Sequence, residues 1–138
     1  MKNVTIVRKL FAVLLTLCCI ALAINPASAA TIEPRLNSCS YANAELKINS
    51  NSASCSIHII TKFSDYKITA DMTLYRINGT TFTPLKTWSI ISTHTISTSE
   101  TFYVSHGYDY QVIAYITVKD SSGKKLESFT VNSSVVHY

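Results

Sequence analysis

Apolar and polar side chains alternate most regularly between residues 107 and 118. The apolar positions of this alternation are Val112, Ala114, Ile116 and Val118. A spacing of two places these side chains on one face of an extended chain. The turn-forming residues Gly107 and Asp109 come just before the run. We predict that this segment is the central strand of a small all-β sandwich, around which the rest of the domain packs.

Six further segments have the composition or alternation of strands. We predict them over residues 41–48, 53–63, 66–77, 81–88, 93–104 and 125–132, with 135–138 as a candidate extension of the last. In the first three, the inward-facing positions include Ala42, Ala44, Leu46, Ile48, Ala53, Cys55, Ile57, Ile59, Phe63, Ile68, Ala70, Met72 and Leu74. Pro84 cannot donate a backbone hydrogen bond, which predicts that residues 81–88 form an edge strand.

Polar turns separate these segments. Residues 49–52 and 120–124 are rich in Asn, Ser and Asp, which favour turns. The clearest hairpin signal is Asn78-Gly79, because a type I′ turn requires positive φ at both of its central residues. Seven short strands joined by such turns predict a single immunoglobulin-like antiparallel β-sandwich.

The stretch Gly107-Tyr108-Asp109-Tyr110-Gln111-Val112-Ile113-Ala114 resembles the start of the sixth strand in fibronectin type III domains. In that fold a tyrosine forms a corner, in which its hydroxyl group bonds back to the backbone upstream. The resemblance implies that Tyr110 is the corner residue and that Gly107 belongs to the turn before it.

Several short segments carry a broader resemblance over nearly the whole chain after residue 30. They are Ile32-Glu33-Pro34-Arg35, Ala53-Ser54-Cys55, Thr73-Leu74, Lys86-Thr87-Trp88, Gly107-Tyr108-Asp109-Tyr110 and Asp120-Ser121-Ser122-Gly123. Together they are similar to an uncharacterised family of small secreted proteins from clostridia and related Gram-positive bacteria. This resemblance implies a bacterial, extracellular protein, and the family has no established activity to carry over.

The N-terminal segment has the organisation of a secretory signal peptide. Basic residues precede an apolar run over residues 10–24, and small residues follow it. We predict cleavage after Ala29, with Ala27 as the other small residue of the site and cleavage after Ala30 as the alternative. An uncleaved membrane anchor is the rival interpretation, but a spanning helix needs about 20 apolar residues. The predicted organisation is a signal peptide over 1–29, an irregular lead over 30–38 and a sandwich over 39–138.

The charge balance excludes one class of partner. The chain has 12 Lys and Arg against 8 Asp and Glu, and three of the basic residues lie in the predicted signal peptide. Without them nine basic residues face eight acidic ones, a net charge of about +1. Nucleic-acid binding requires clustered basic residues, so we expect no nucleic-acid partner. No second apolar run follows, which predicts that the mature protein has no stable membrane anchor.

Cys39 and Cys55 are the two cysteines beyond the signal peptide, and an even count in a secreted chain suggests a disulfide. A hairpin around residues 49–52 would place Cys55 opposite Leu46. Cys39 would then lie about 23 Å further along the strand, whereas a disulfide needs Cα atoms within about 7 Å. A bridge therefore requires the first strand to fold back or change sheets. The alternative, which the geometry favours, is a buried Cys55 thiol and a loop Cys39 thiol.

The chain lacks the residue patterns of catalytic and metal sites. Its histidines, which show no tight metal-ligand spacing, are His58, His94, His106 and His137. No G-x-S-x-G nucleophile elbow is present, and the acidic residues are scattered among polar neighbours. We expect surface or loop histidines, with no metal, no cofactor and no catalytic residue, so that the protein is not an enzyme.

Outward-facing apolar residues supply the candidate interaction surface. Tyr75, Ile113, Tyr115 and Ile60 have outward parity, and on neighbouring faces they would form an exposed apolar patch of the kind that marks contact sites. Trp88 and Tyr103 could instead stack on sugar rings. The alternative is that loops cover this face and bury it.

These observations favour a secreted, non-catalytic binding module for a glycan, a cell-wall polymer or another protein. One alternative is a structural protein that self-assembles through exposed strand edges. A secreted hydrolase is the least favoured function, because no motif supports it.

Overall fold

The computed structural model describes residues 36–138. The predicted signal peptide, with Ala27, Ala29 and Ala30 at its cleavage site, lies outside the described residues, as do residues 30–35 of the predicted lead. Residues 36–138 include no helix that is long and apolar enough to cross a membrane.

Residues 36–138 form eight strands in two antiparallel sheets. The strands are β1 (Cys39–Asn49), β2 (Ser52–Thr61), β3 (Lys67–Asn78), β4 (Thr81–Thr93), β5 (Thr95–Tyr103), β6 (Asp109–Lys119), β7 (Lys125–Asn132) and β8 (Val136–His137). One sheet has the order β1-β2-β5, and the other has the order β4-β3-β6-β7, with β8 also paired to β6. The predicted all-β, immunoglobulin-like and fibronectin type III-like sandwich is confirmed.

The core lies between the sheets and is built by strict alternation. Its inward side chains, each at most 2% exposed, include Ala53, Cys55, Ile57, Ile59, Ile68, Ala70, Met72, Leu74, Val112, Ala114, Ile116 and Val118. Burying one large aliphatic side chain contributes about 1.5–3 kcal/mol to folding. β6 lies between β3 and β7, so the prediction of a central strand there is confirmed.

The strand ends differ from the predictions by up to five residues. β2 ends at Thr61, and Phe63 is 58% exposed instead of facing the core. The Thr61 hydroxyl group donates to the carbonyl oxygen of Phe63 at 2.8 Å, which turns the chain out of the strand. β4 continues to Thr93, five residues beyond its predicted end. Pro84 does lie on an edge strand, at a register irregularity of the β3–β4 pair.

The β3–β4 hairpin uses a different turn from the predicted one. Asn78 pairs with Thr81 as the last strand pair, so the turn residues are Gly79 and Thr80. Gly79 has a φ of 60°, whereas Asn78 is not in the positive-φ region. Positive φ at the first turn residue alone is the type II′ pattern. The prediction of a type I′ turn centred on Asn78-Gly79 is therefore wrong.

Tyr110 closes the loop between β5 and β6. Its ring is 1% exposed, and its hydroxyl group accepts a hydrogen bond from the Ser105 backbone N–H at 3.1 Å and donates one to the Ser105 carbonyl oxygen at 2.8 Å. Gly107, with a φ of 86°, lies in the turn that brings the two residues together. This is the geometry of a tyrosine corner.

Cys39 and Cys55 are free thiols in the described part of the chain. Cys55 lies opposite Leu46, as the hairpin register predicted, while Cys39 pairs with Thr61. Cys39 is 2% exposed at the start of β1, so the prediction of a loop thiol is wrong. Burial raises the pKa of each thiol to about 11, and Glu127 adds to the effect at Cys39.

Candidate functional site

The structure places the predicted interaction residues in three separate regions of the sandwich. Tyr75, Ile113 and Tyr115 lie on the outer face of the five-stranded sheet. Ile60 and Tyr103 belong to the other sheet, on its outer face. Trp88 lies opposite Met72 and packs against the core. The six side chains therefore do not form one patch.

Polar side chains lie beside the apolar residues on the outer face of the five-stranded sheet. Tyr115 is 52% exposed and lies opposite Asp71, whereas Ile113 is half-buried opposite Thr73. The Thr73 hydroxyl group is hydrogen-bonded to that of Thr87 at 2.8 Å. Hydroxyl-bearing side chains thus lie beside Tyr75, Ile113 and Tyr115 on this face.

The outer face of the three-stranded sheet holds a groove of about 290 Å³. We call it the polar groove. It is lined by Asn43, Glu45, Ser56, Ile57, His58, Ser97, Thr98 and Ser99. These residues come from β1, β2 and β5, so the groove lies across all three strands.

Small side chains on the central strand create the floor of the groove. Core residues of β2 alternate with Ser54, Ser56 and His58, which face outward. The strand register aligns Ser56 with Glu45 on one side and Ser99 on the other. Because two serines flanked by a longer side chain leave a depression, the groove follows from this cross-strand row.

A second cross-strand row completes the groove. It aligns Asn43 of β1 with His58 of β2 and Ser97 of β5. An amide, an imidazole and a hydroxyl group therefore stand side by side, all able to form hydrogen bonds with a ligand.

An aromatic ring stands at one end of the polar groove. Tyr41 and His58 pack edge to face with their ring centroids 5.3 Å apart. Tyr41 is 47% exposed, so part of its ring remains open to a ligand. At the other end, the hydroxyl groups of Ser54 and Ser99 are hydrogen-bonded at 3.0 Å.

The groove has one carboxylate among its lining residues. Glu45 forms an ion pair with Lys47, whose Nζ atom is 2.8 Å from the carboxylate oxygen. Both side chains are exposed, and such pairs contribute little stability. The pair therefore leaves Glu45 free to exchange Lys47 for a hydrogen-bond donor of a ligand.

The histidines lie in separate parts of the fold. His94 contacts the Thr61 hydroxyl group at 3.2 Å, His106 stacks on Tyr138 at 3.9 Å, and His137 lies 2.6 Å from Asp109. His58 belongs to β2 and lines the groove. Within residues 36–138, no three His, Cys, Asp or Glu side chains are grouped so that they could hold a metal ion.

The sequence predictions missed the polar groove. Its lining side chains are mostly polar, whereas the predicted interaction surface consists of apolar and aromatic side chains. The signal that could have found it is the run of outward serines at residues 54, 56, 97 and 99. Only the pairing of β2 with β5 shows that these serines are neighbours.

No protein-family model matches this chain, and no curated protein sequence matches it. The resemblance to small secreted clostridial proteins therefore stays a prediction, and the site is interpreted from its geometry.

Proposed function

We propose that this protein is a secreted, non-catalytic binding module that holds a glycan in the polar groove. The observation that carries the proposal is the combination of hydrogen-bonding side chains along the groove with the exposed Tyr41 ring at its end. A sugar ring presents hydroxyl groups at its rim and C–H groups on its face. The first suit amide, hydroxyl and carboxylate partners, and the second suit an aromatic ring.

The chemistry of the lining supports a polar ligand over an apolar one. Pockets for drug-sized ligands are lined mostly by hydrophobic and aromatic side chains, whereas the side chains of Asn43, Glu45, Ser56, His58 and Ser99 are polar. The volume of about 290 Å³ is at the lower end of known ligand sites, which begin near 300 Å³. We infer that the groove holds a short stretch of a longer polymer.

The same lining supports binding without hydrolysis. Glycoside hydrolysis ordinarily uses two carboxyl groups on either side of the scissile bond, and Glu45 is the one carboxylate among the lining residues. The predicted signal peptide would deliver the module outside the cell, where cell-wall and host glycans are the available polymers.

The test is co-sedimentation of the chain starting at Ala30 with insoluble peptidoglycan and with a panel of polysaccharides. Retention should fall at least tenfold in Tyr41→Ala, which removes the ring, and in Ser56→Gln, which fills the groove. The matched controls are Tyr115→Ala and Thr130→Gln, which make the same changes at exposed positions of the other sheet.

Retention that falls with Tyr115→Ala but not with Tyr41→Ala would move the site to the other sheet and overturn the proposed groove. Absence of retention on every polymer would reject the glycan and favour a protein partner. Circular dichroism of each variant separates loss of binding from loss of folding.

A further inference from the structure

The sheet orders leave unpaired strand edges at both sides of each sheet. In the described part of the chain, the edge strands are β1 and β5 in one sheet and β4 and β7 in the other, where β8 continues the β7 edge. An edge strand presents free backbone N–H and C=O groups, and these form a template for another strand. Natural proteins block such edges with charged residues, proline or bulges.

The edges of this sandwich are blocked unequally. β1 carries Glu45 and Lys47, and β7 carries Lys125 and Glu127. The first half of β4 has Pro84 and a register irregularity beside it. The second half, residues 87–93, has the sequence Thr-Trp-Ser-Ile-Ile-Ser-Thr, with no charge, no proline and no glycine. We call residues 87–93 the open edge.

Apolar side chains of the open edge are only partly covered. Trp88 and Ile90 lie opposite Met72 and Ala70, so they extend the core to the margin of the sheet, where both are half-buried. Ile91 faces outward and is 79% exposed. A further strand beside β4 would cover the margin of the core and pair the free backbone groups together.

The open edge is complementary to itself. In an antiparallel pair of two open edges centred on Ile90, Trp88 faces Ser92, Ser89 faces Ile91 and Thr87 faces Thr93. Core-facing residues of one copy lie opposite core-facing residues of the other, so the cores of the two copies would be continuous across the junction. Hydroxyl pairs such as Thr87 with Thr93 are among the cross-strand pairs that stabilise sheets.

The absence of charged residues from the open edge favours a second copy of this chain as the strand that pairs with it. Because residues 87–93 have no charged side chain, pairing of the open edge with a copy of itself places no charge of one copy's edge against the other's. A two-fold interface also uses the same residues on both sides, as this register requires. We infer that the open edge pairs with the open edge of a second copy of this chain and joins the two five-stranded sheets into one continuous sheet.

The experiment is analytical ultracentrifugation of the chain starting at Ala30 over a concentration series. The unmodified chain should sediment as a monomer–dimer equilibrium. Ser89→Lys/Ile91→Lys places like charges opposite each other in the dimer and should abolish it. The control Thr81→Lys/Thr83→Lys adds the same charge to the blocked half of β4 and should leave the dimer unchanged.

A charge-reversed partner tests the register. Ser89→Glu/Ile91→Glu should also be monomeric alone, whereas a mixture of the Lys and Glu variants should restore the dimer, because residue 89 of one copy faces residue 91 of the other. A monomer at the highest soluble concentration of the unmodified chain would overturn the proposal and leave the edge to a foreign strand. A dimer that survives in the Lys variant would place the interface elsewhere.

Failure of the proposed dimer and failure of the proposed glycan binding can be distinguished. The open edge belongs to the five-stranded sheet, whereas the polar groove lies on the outer face of the three-stranded sheet. Circular dichroism of the Lys variant shows whether the fold is kept, and its retention on polysaccharide shows whether glycan binding is independent of the dimer.

Discussion

The side-chain oxygen of Ser133 accepts a hydrogen bond from the backbone N–H of Val112 at 2.9 Å. Ser133 also donates its own backbone N–H to the Val112 carbonyl oxygen at 2.9 Å, and its hydroxyl group donates to Ser134 at 2.8 Å. The residue is 5% exposed and lies in the gap between β7 and β8. Ser133 thus continues the hydrogen bonding along β6 across the gap between β7 and β8.

Replacing Ser133 by Ala should destabilise the domain by about 1–3 kcal/mol, because it leaves the buried Val112 N–H without an acceptor. Urea denaturation measures the loss as a lower midpoint. Ser134→Ala, at the exposed next position, is the control and should change the free energy of unfolding by less than about 0.5 kcal/mol. Equal midpoints for the two variants would show that the Ser133 hydroxyl group is dispensable.

Tyr110→Phe should keep the packed ring but lose both hydrogen bonds to Ser105. We expect a loss of about 1–3 kcal/mol in the free energy of unfolding, since the buried Tyr110 side chain makes two hydrogen bonds, each of which contributes about 0.5–1.5 kcal/mol. The matched control is Tyr103→Phe, which removes a hydroxyl group from a side chain that is 78% exposed. A Tyr110 variant as stable as this control would contradict a stabilising role for the corner.

The sequence identified the strands whose side chains alternate strictly, because burial of one face requires apolar residues at a period of two. β3 and β6 follow this rule, and their predicted inward residues are buried. The same rule failed at Phe63, where the apolar period continues beyond the residue at which the chain turns. It also failed at Trp88, whose parity could not be read because Pro84 and the bulge shift the register of β4.

The polar groove could not be predicted in the same way. Outward side chains carry no requirement to be apolar, so their pattern does not show which of them are neighbours. Ser56 and Ser99 are 43 residues apart in sequence, and only the β2–β5 register places them side by side. A site made of small polar residues therefore depends on long-range pairing that local alternation does not encode.

Ser50→Gly should stabilise the domain. Ser50 has a φ of 53° in the turn between Asn49 and Ser52, a conformation that is unfavourable for residues with a Cβ atom and accessible to glycine. We expect a gain of up to about 1 kcal/mol in the free energy of unfolding, measured by thermal or urea denaturation. The control, Ser52→Gly, places glycine inside β2 and should be destabilising. A loss of stability in Ser50→Gly would contradict strain at this turn.

The two buried thiols should weaken the fold at alkaline pH. Their pKa is about 11 in the folded chain against 9.0 for an unperturbed thiol. Between these values the unfolded chain releases protons that the folded chain keeps, so the free energy of unfolding falls as pH rises. The stability contributed by the thiols is complete below pH 9 and is lost on the way to pH 11.

Urea denaturation between pH 8 and 11 measures this effect. The unmodified chain should lose up to about 1.4 kcal/mol per pH unit per thiol more than a Cys39→Ala/Cys55→Ala variant, in which other titrating groups contribute equally. Cys55→Ala alone should remove about half of the difference. Parallel pH profiles for all three proteins would show that the thiols ionise equally well in both states.

The two thiols differ in how far the fold must open before a reagent can reach them. Cys39 begins an edge strand beside a register irregularity, so its sulfur is reached when the leading residues of β1 fray. Cys55 lies in a strand that is paired on both sides, and its sulfur is reached only when a sheet comes apart. Local and global opening occur at different rates. Alkylation of Cys39 would therefore report fraying of β1, and alkylation of Cys55 would report separation of a sheet. In an oxidising medium, cysteine oxidation would begin at Cys39, on the N-terminal edge of the domain, and would reach Cys55 last.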